Sequence, residues 1–213
     1  MTSRTDVLDH TVLGLLADGP LHGYEIRKRL TSILGTFRAL SFGSLYPCLH
    51  RLSGDGLIEP VDTLLRDDIA GVSTKRARIV YGLTADGKEA FAAWVADYGP
   101  DAWEDEAFAA RMAFFSRTDA QVRLRILEGR RTRLEERLRS LQESIDRTDA
   151  RMDLYAERLQ RHGIEGAERE VGWLEELIAS ERSARQERRQ ARAARKATRK
   201  MPANNTRKDH PQS

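Results

Sequence analysis

Apolar residues recur at helical spacing in three successive blocks near the start of the chain. Val7, Leu8, Val12, Leu15 and Leu16 form one broad stripe over residues 6–17, and Asp-Gly-Pro at 18–20 ends it. Leu21, Ile26, Leu30, Ile33 and Leu34 predict a second amphipathic helix over 21–34, with Gly35 as its cap. The third block lies in "LSFGSLYPCLHRLSGDGLIEP", residues 40–60. There Leu45, Leu49 and Leu52 point inward, while Gly43, Ser44, Pro47, His50 and Arg51 make an outer face that is small, polar and basic. Pro47 is harmless if Ser44 caps the helix, because a first-turn N–H has no intrahelical partner to lose. If Ser41 is the cap, Pro47 removes one bond and tilts the first turn. The Ser41 register is the expectation, since it brings Phe42 into the apolar stripe.

The period then changes from helical to alternating. "GLIEPV" at 56–61 and "ARIVYGL" at 77–83 read as two strands, the second with Ile79, Tyr81 and Leu83 alternating against Arg78, Val80 and Gly82. The connection between them is long for a hairpin, and Lys75, Arg76 and Arg78 stand at its return. Thr84 caps a fourth helix that has Asp86 in its first turn and carries Phe91, Trp94 and Val95.

From Thr118 onward a heptad alternation takes over. Leu124, Leu127, Arg131, Leu134, Leu138, Leu141, Ile145, Thr148, Met152, Tyr155 and Leu159 follow it without a slip, which predicts one long helix ending at "RHGIEG", 161–166. A last helix follows with Val171, Trp173, Leu174, Leu177 and Ile178 as its apolar patch, then becomes polar all round, and disorder is expected beyond Met201. The chain thus divides into residues 1–98, a compact domain; 99–195, a helical dimerisation domain; and 196–213, a basic tail.

Charge sharpens this division. The net charge of +3 over 213 residues conceals a tail, residues 181–213, with 11 Lys/Arg against 3 Asp/Glu. That tail reads either as a second nucleic-acid element or as a solvated helix end. The single cysteine, Cys48, excludes an internal disulfide and is expected to pack in the core. No apolar run approaches the roughly 18 residues of a membrane span, so a cytoplasmic location without membrane partners is expected. The five histidines lack ligand spacing, and no nucleophilic triad or phosphate-cradling glycine loop occurs. Neither an enzyme nor a metal or other cofactor is expected. Trp94, Trp103 and Trp173 read first as core residues and second as walls of an effector pocket.

Three helices, a hairpin and a fourth helix make a winged helix-turn-helix, whose third helix enters the DNA major groove. The fold class is therefore mainly α: a winged helix-turn-helix followed by a long, coiled-coil-like dimerisation region. On the outer face of the third helix, Ser44 and Arg51 are candidates for phosphate or base contact, His50 for a base or for solvent, and Lys75, Arg76 and Arg78 for backbone contact from the wing. The segments "GLLADGPLHGYEIRKRL", "FGSLYPCLHRLSGDGLIEP" and "YGLTADGKEAF" resemble, in this order, the signature segments of PadR-type transcriptional regulators. That resemblance implies a dimeric winged-helix protein, usually a repressor, relieved by a small molecule in some members. It also implies DNA contacts for Tyr46 and Pro47, with Tyr46 otherwise packing on the second helix, and a phosphate contact for His22 and Tyr24. The dimer seam would be Leu124, Leu127, Leu134, Leu138, Leu141, Ile145, Met152, Tyr155 and Leu159, supported by Trp173, Leu174 and Leu177. The expected function is a sequence-specific homodimeric regulator, a repressor on a pseudo-palindromic operator. A protein-interaction module and an activator remain the alternatives.

Overall fold

A computed structural model describes residues 4–34, 44–61, 79–148 and 153–200. The predicted stripe of residues 6–17 forms α1 (Arg4–Leu16). The next segment differs from expectation at its start. Leu21 and His22 form a two-residue strand, β1, and α2 begins only at Gly23, running to Leu34. β1 pairs antiparallel with β3 (Val80–Leu83), Leu21 opposite Tyr81 and His22 opposite Val80, and β3 pairs on its other side with β2 (Ile58–Val61). The sheet order is β1-β3-β2. The two predicted strands are present, and the extra strand ties the helix-turn-helix to the base of the wing.

The third helix, α3, spans Leu45–Gly54 with Ser44 at its N-cap. The Ser44 register therefore replaces the Ser41 register: Pro47 lies in the first turn, where a missing donor costs no helical bond, and Ser41 lies outside the described residues. At its other end α3 closes in a Schellman turn, with Leu57 N–H donating to Leu52 O at 2.9 Å and Gly56 N–H to Ser53 O at 3.2 Å. This turn needs a left-handed residue, and Gly56 supplies it at φ +72°.

Helix α4 (Ala85–Ala96) is capped by Thr84, whose hydroxyl accepts from Gly87 N–H at 3.1 Å and donates to the Gly56 and Leu57 carbonyls. A side chain at Gly87 would stand 2.0 Å from the Leu57 carbonyl oxygen, so glycine is what lets α4 press against the turn after α3. Leu8, Val12, Leu13, Ile26, Leu49, Leu52, Ile58 and Phe91 fill the core of this domain, and Cys48 packs among them as expected.

A 3-10 turn at Pro100–Trp103 leads to α5 (Asp105–Met112), and then to α6 (Ala120–Thr148) and α7 (Leu154–Lys200). Here the structure corrects the sequence expectation twice. The heptad helix does not run on to 159, because Asp153 is not helical and α7 starts at Leu154, and α7 continues through "RHGIEG" without a break. Two helical glycines cost about 1 kcal/mol each relative to alanine. Packing against α6 outweighs that penalty. The two helices are antiparallel neighbours, with Arg123 on Glu181, Glu128 under Arg182 and Arg130 on Glu170. Ile126, Leu127, Leu134, Leu174 and Ile178 form a second core between them with Phe108 of α5. Among the described residues no helix is long and apolar enough to cross a membrane.

Candidate nucleic-acid interface

The inward stripe of α3 is Leu45, Cys48, Leu49 and Leu52, all buried. That leaves Ser44, Tyr46, Pro47 and His50 on the exposed side. The Ser44 side chain makes no hydrogen bond back to the helix.

The start of α2 meets this face from the side. His22 and Tyr24 are exposed, Tyr24 to 64%, and the Glu25 carboxylate accepts from His22 N–H at 3.1 Å, fixing the strand-to-helix corner. Tyr46 stands in the crease between α2 and α3, close to Gly23, and is 40% exposed. Tyr46 therefore packs on the start of α2, as one of its two expectations had it, and still presents its outer portion. Tyr81 lies beneath, its phenol pushed up by burial first and by its neighbour Tyr46 second. Two exposed tyrosines, two exposed histidines, Ser44 and Pro47 thus share one surface with little fixed charge.

Arg51 has a different setting from the free cation expected of it. Its Nε donates to Asp9 Oδ2 at 3.1 Å and its Nη2 to Asp9 Oδ1, joining α3 to α1. Donation to this carboxylate is the largest influence raising the Arg51 pKa. Asp9 also helps burial to push the Cys48 thiol far up, so this cysteine is held as the neutral thiol. The outer face of α3 alone gave no sign of this pair, because its acid lies 42 residues away. Lys75, Arg76 and Arg78 lie outside the described residues, as does Met152.

The seam residues separate into two groups. Leu127, Leu134 and Leu174 are buried between α6 and α7 of one chain, with Leu124 and Leu177 packed at the edge of that core. Leu138 and Leu141 are half-buried, and Ile145 lies on the last turns of α6. Tyr155, Leu159 and Trp173 are exposed to 77%, 71% and 41%. The heptad reading put Arg131 at the seam, yet the buried cation is its neighbour Arg130. Arg130 donates to Glu170 Oε1 at 2.9 and 2.8 Å, to Asp105 Oδ1 at 2.5 Å and to the Trp103 carbonyl at 2.8 Å. The acidic run at 101–106 is thus partly a set of partners for arginines on α6, with Glu104 holding Arg133 as well.

Comparison with known proteins returns several likenesses. Residues 12–93 match the "Transcriptional regulator PadR-like family". The "Negative transcriptional regulator PadR" of Bacillus subtilis (strain 168) is 28% identical over 183 residues, covering 81% of this chain and 96% of that protein. A crystal structure of Bacillus subtilis PadR in complex with operator DNA aligns over 82% of this chain and 99% of that one, at 27% identity and a TM-score of 0.38. Another, in complex with p-coumaric acid, aligns over 82% and 98%, at 25% identity and a TM-score of 0.37. The matched residues run from within α1 to within α4, so this segment of the chain is similar to the PadR-like family of transcriptional regulators.

Proposed function

We propose that this protein is a homodimeric repressor that seats α3 of each subunit in successive major grooves of a pseudo-palindromic operator. The observation that carries the reading is the two-sided α3: a fully buried leucine stripe behind a protruding face of Ser44, Tyr46, Pro47 and His50. A small-residue face lets the backbone approach phosphates and base edges, and Tyr24 and His22 flank it at the start of α2. The negative regulation named for the Bacillus relative supports repression over activation. In this scheme Arg51 acts through Asp9 by setting α3 on α1.

The dimer is supported by apolar surface left uncovered in one chain. Leu154, Tyr155, Leu159 and Trp173 are between 41% and 77% exposed along α7, more large apolar side chains than a solvated helix ordinarily presents. A second copy covering that face would hold the reading helices about 34–36 Å apart, one turn of duplex. Relief by a small molecule falls to a cavity of about 370 Å³ between the interdomain turn and α6, walled by Tyr98, Trp103 and Gly129. Arg125 stacks over Tyr98 there at 4.4 Å.

Fluorescence anisotropy on the duplex upstream of the chain's own gene, against a shuffled duplex of equal composition, tests the reading. Binding to the first that exceeds the second by at least about a hundredfold, at a stoichiometry of two chains per site, is expected. Tyr46→Ala is expected to shrink that ratio. Equal binding to both duplexes refutes the repressor.

A further inference from the structure

Past the last ion pairs with α6, α7 becomes a one-sided cationic helix. Arg182 reaches Glu128 at 2.7 Å and Arg185 reaches Gln121 at 3.1 Å, beside the first turn of α6. Beyond Arg185 the helix continues to Lys200, and every residue from 186 to 196 is exposed. That overhang is about 22 Å long at 1.5 Å per residue. It leaves the helix pair at the end that is fastened to the winged domain, where Arg117 pairs with Asp18 just before α6 begins.

The charges on this overhang are sorted by side. At 100° per residue, Arg185, Arg188, Arg189, Arg192, Arg195 and Lys196 fall within an arc of about 120°. Gln186, Gln190, Ala191, Ala193 and Ala194 occupy the opposite arc. The expectation of a segment polar all round is therefore too coarse. Glu187, the single acid between residues 182 and 200, also lies on the opposite side, and the positions three and four away from it are Ser183, Ala184, Gln190 and Ala191. No helical ion pair can form at those spacings. Cations three and four apart repel one another instead, at about 0.2–0.5 kcal/mol for each pair. The helix persists because Ala, Gln and Arg are all strong helix formers. No acid of α7 stands three or four residues from Arg188, Arg189, Arg192 or Arg195.

We propose that the face built on Arg188, Arg189, Arg192 and Arg195 lies along the phosphate backbone of duplex DNA and adds a sequence-independent contact to that of the winged domain. The inference rests on the operator-binding reading for its choice of DNA. Charge complementarity selects a polyanion, and a straight row of guanidinium groups suits the regular phosphates of a duplex. A lipid surface fits less well, because the side opposite the cations carries alanine and glutamine and has no bulky apolar anchor.

The test compares the full chain with a quadruple variant, Arg188→Gln, Arg189→Gln, Arg192→Gln and Arg195→Gln, which keeps helix propensity. Both are titrated against the duplex upstream of the gene and its shuffled counterpart, each about 60 base pairs long, across a salt series. The variant is expected to bind both duplexes at least about tenfold more weakly at low salt, and to flatten the plot of log K against log salt by about 0.9 for each phosphate it no longer neutralises. Identical slopes for the two proteins overturn the inference. So does a loss confined to phosphatidylserine vesicles with duplex binding unchanged. If the full chain binds both duplexes equally while the variant is weaker on each, the operator reading fails and the cationic helix stands.

Discussion

Replacing Asp9 by asparagine removes the partner of Arg51 without changing any residue of α3. The Arg51 side chain is 38% exposed and that of Asp9 16%, so the pair lies between the exposed and buried regimes. Exposed pairs contribute about 0.2–1 kcal/mol, and breaking a buried one costs about 3–5 kcal/mol. Two hydrogen bonds across a half-screened interface place the loss at about 1–2 kcal/mol for Asp9→Asn and for Arg51→Leu alike. Urea unfolding of the two single variants and the double variant is expected to return a coupling energy of about 1 kcal/mol. Operator binding separates position from readout. If Arg51 acts by holding α3 on α1, both substitutions weaken specific binding by a similar, few-fold factor. If Arg51 reads a base, removing Asp9 frees it and costs nothing, while Arg51→Leu loses about 1–3 kcal/mol, roughly ten- to a hundredfold. A large loss for Arg51→Leu with an unchanged Asp9→Asn would refute the positioning role.

Three further outcomes follow from the packing and the buried groups. Gly87→Ala forces a carbon to 2.0 Å from the Leu57 carbonyl and is expected to destabilise the winged domain by about 3 kcal/mol; a melting temperature unchanged within error contradicts it. Arg130→Met is expected to cost about 2–3 kcal/mol, discounted from a fully buried pair because Glu170 and Asp105 are 33% and 69% exposed, while Arg131→Ala costs under about 0.5 kcal/mol. Urea midpoints check that contrast, and the reverse order refutes the arginine assignment. Burial and Asp9 keep Cys48 protonated in the fold, whereas the unfolded chain releases that proton near pH 8.5. Its contribution is therefore complete below about pH 8.5 and is lost above it, by up to about 1.4 kcal/mol per pH unit, and Cys48→Ala is expected to flatten the stability profile between about pH 8.5 and 10. Parallel profiles for the two proteins refute this.

What could be read from the sequence follows the range of the forces concerned. α1 and the inward face of α3 were legible because each buries one continuous stripe in a shared core, and a 3.6-residue period records that directly. β1 was not, since two residues carry no period and its partner Tyr81 lies far along the chain. The glycines of "RHGIEG" gave a local stop signal that contacts with α6 overrode. The settings of Arg51 and Arg130 were not legible for the same reason: each pairs with an acid about forty residues away, Asp9 in one case and Glu170 in the other.

The heptad pattern, read as a seam between subunits, is used first within one chain. Leu127 and Leu134 meet Leu174 and Ile178 of the returning helix, while Tyr155, Leu159 and Trp173 stay exposed. The short α5 then links this hairpin to the winged domain, although its sequence showed only an acidic run. Ala107 and Ala110 belong to the first core, with Phe114 just beyond, while Phe108 belongs to the second and meets Trp173 edge-on at 6.4 Å. Arg111 of the same helix donates to the Trp94 carbonyl at 2.5 Å and to the Asp97 carbonyl at 2.6 Å, closing the end of α4. One helix therefore has side chains in both cores and a cation on the last turn of α4. A rotation of α6 and α7 about the interdomain turn would have to break one of these contacts or carry the winged domain with it. That constraint gives the cavity beside Trp103 a physical route to α3, through α5 and α1.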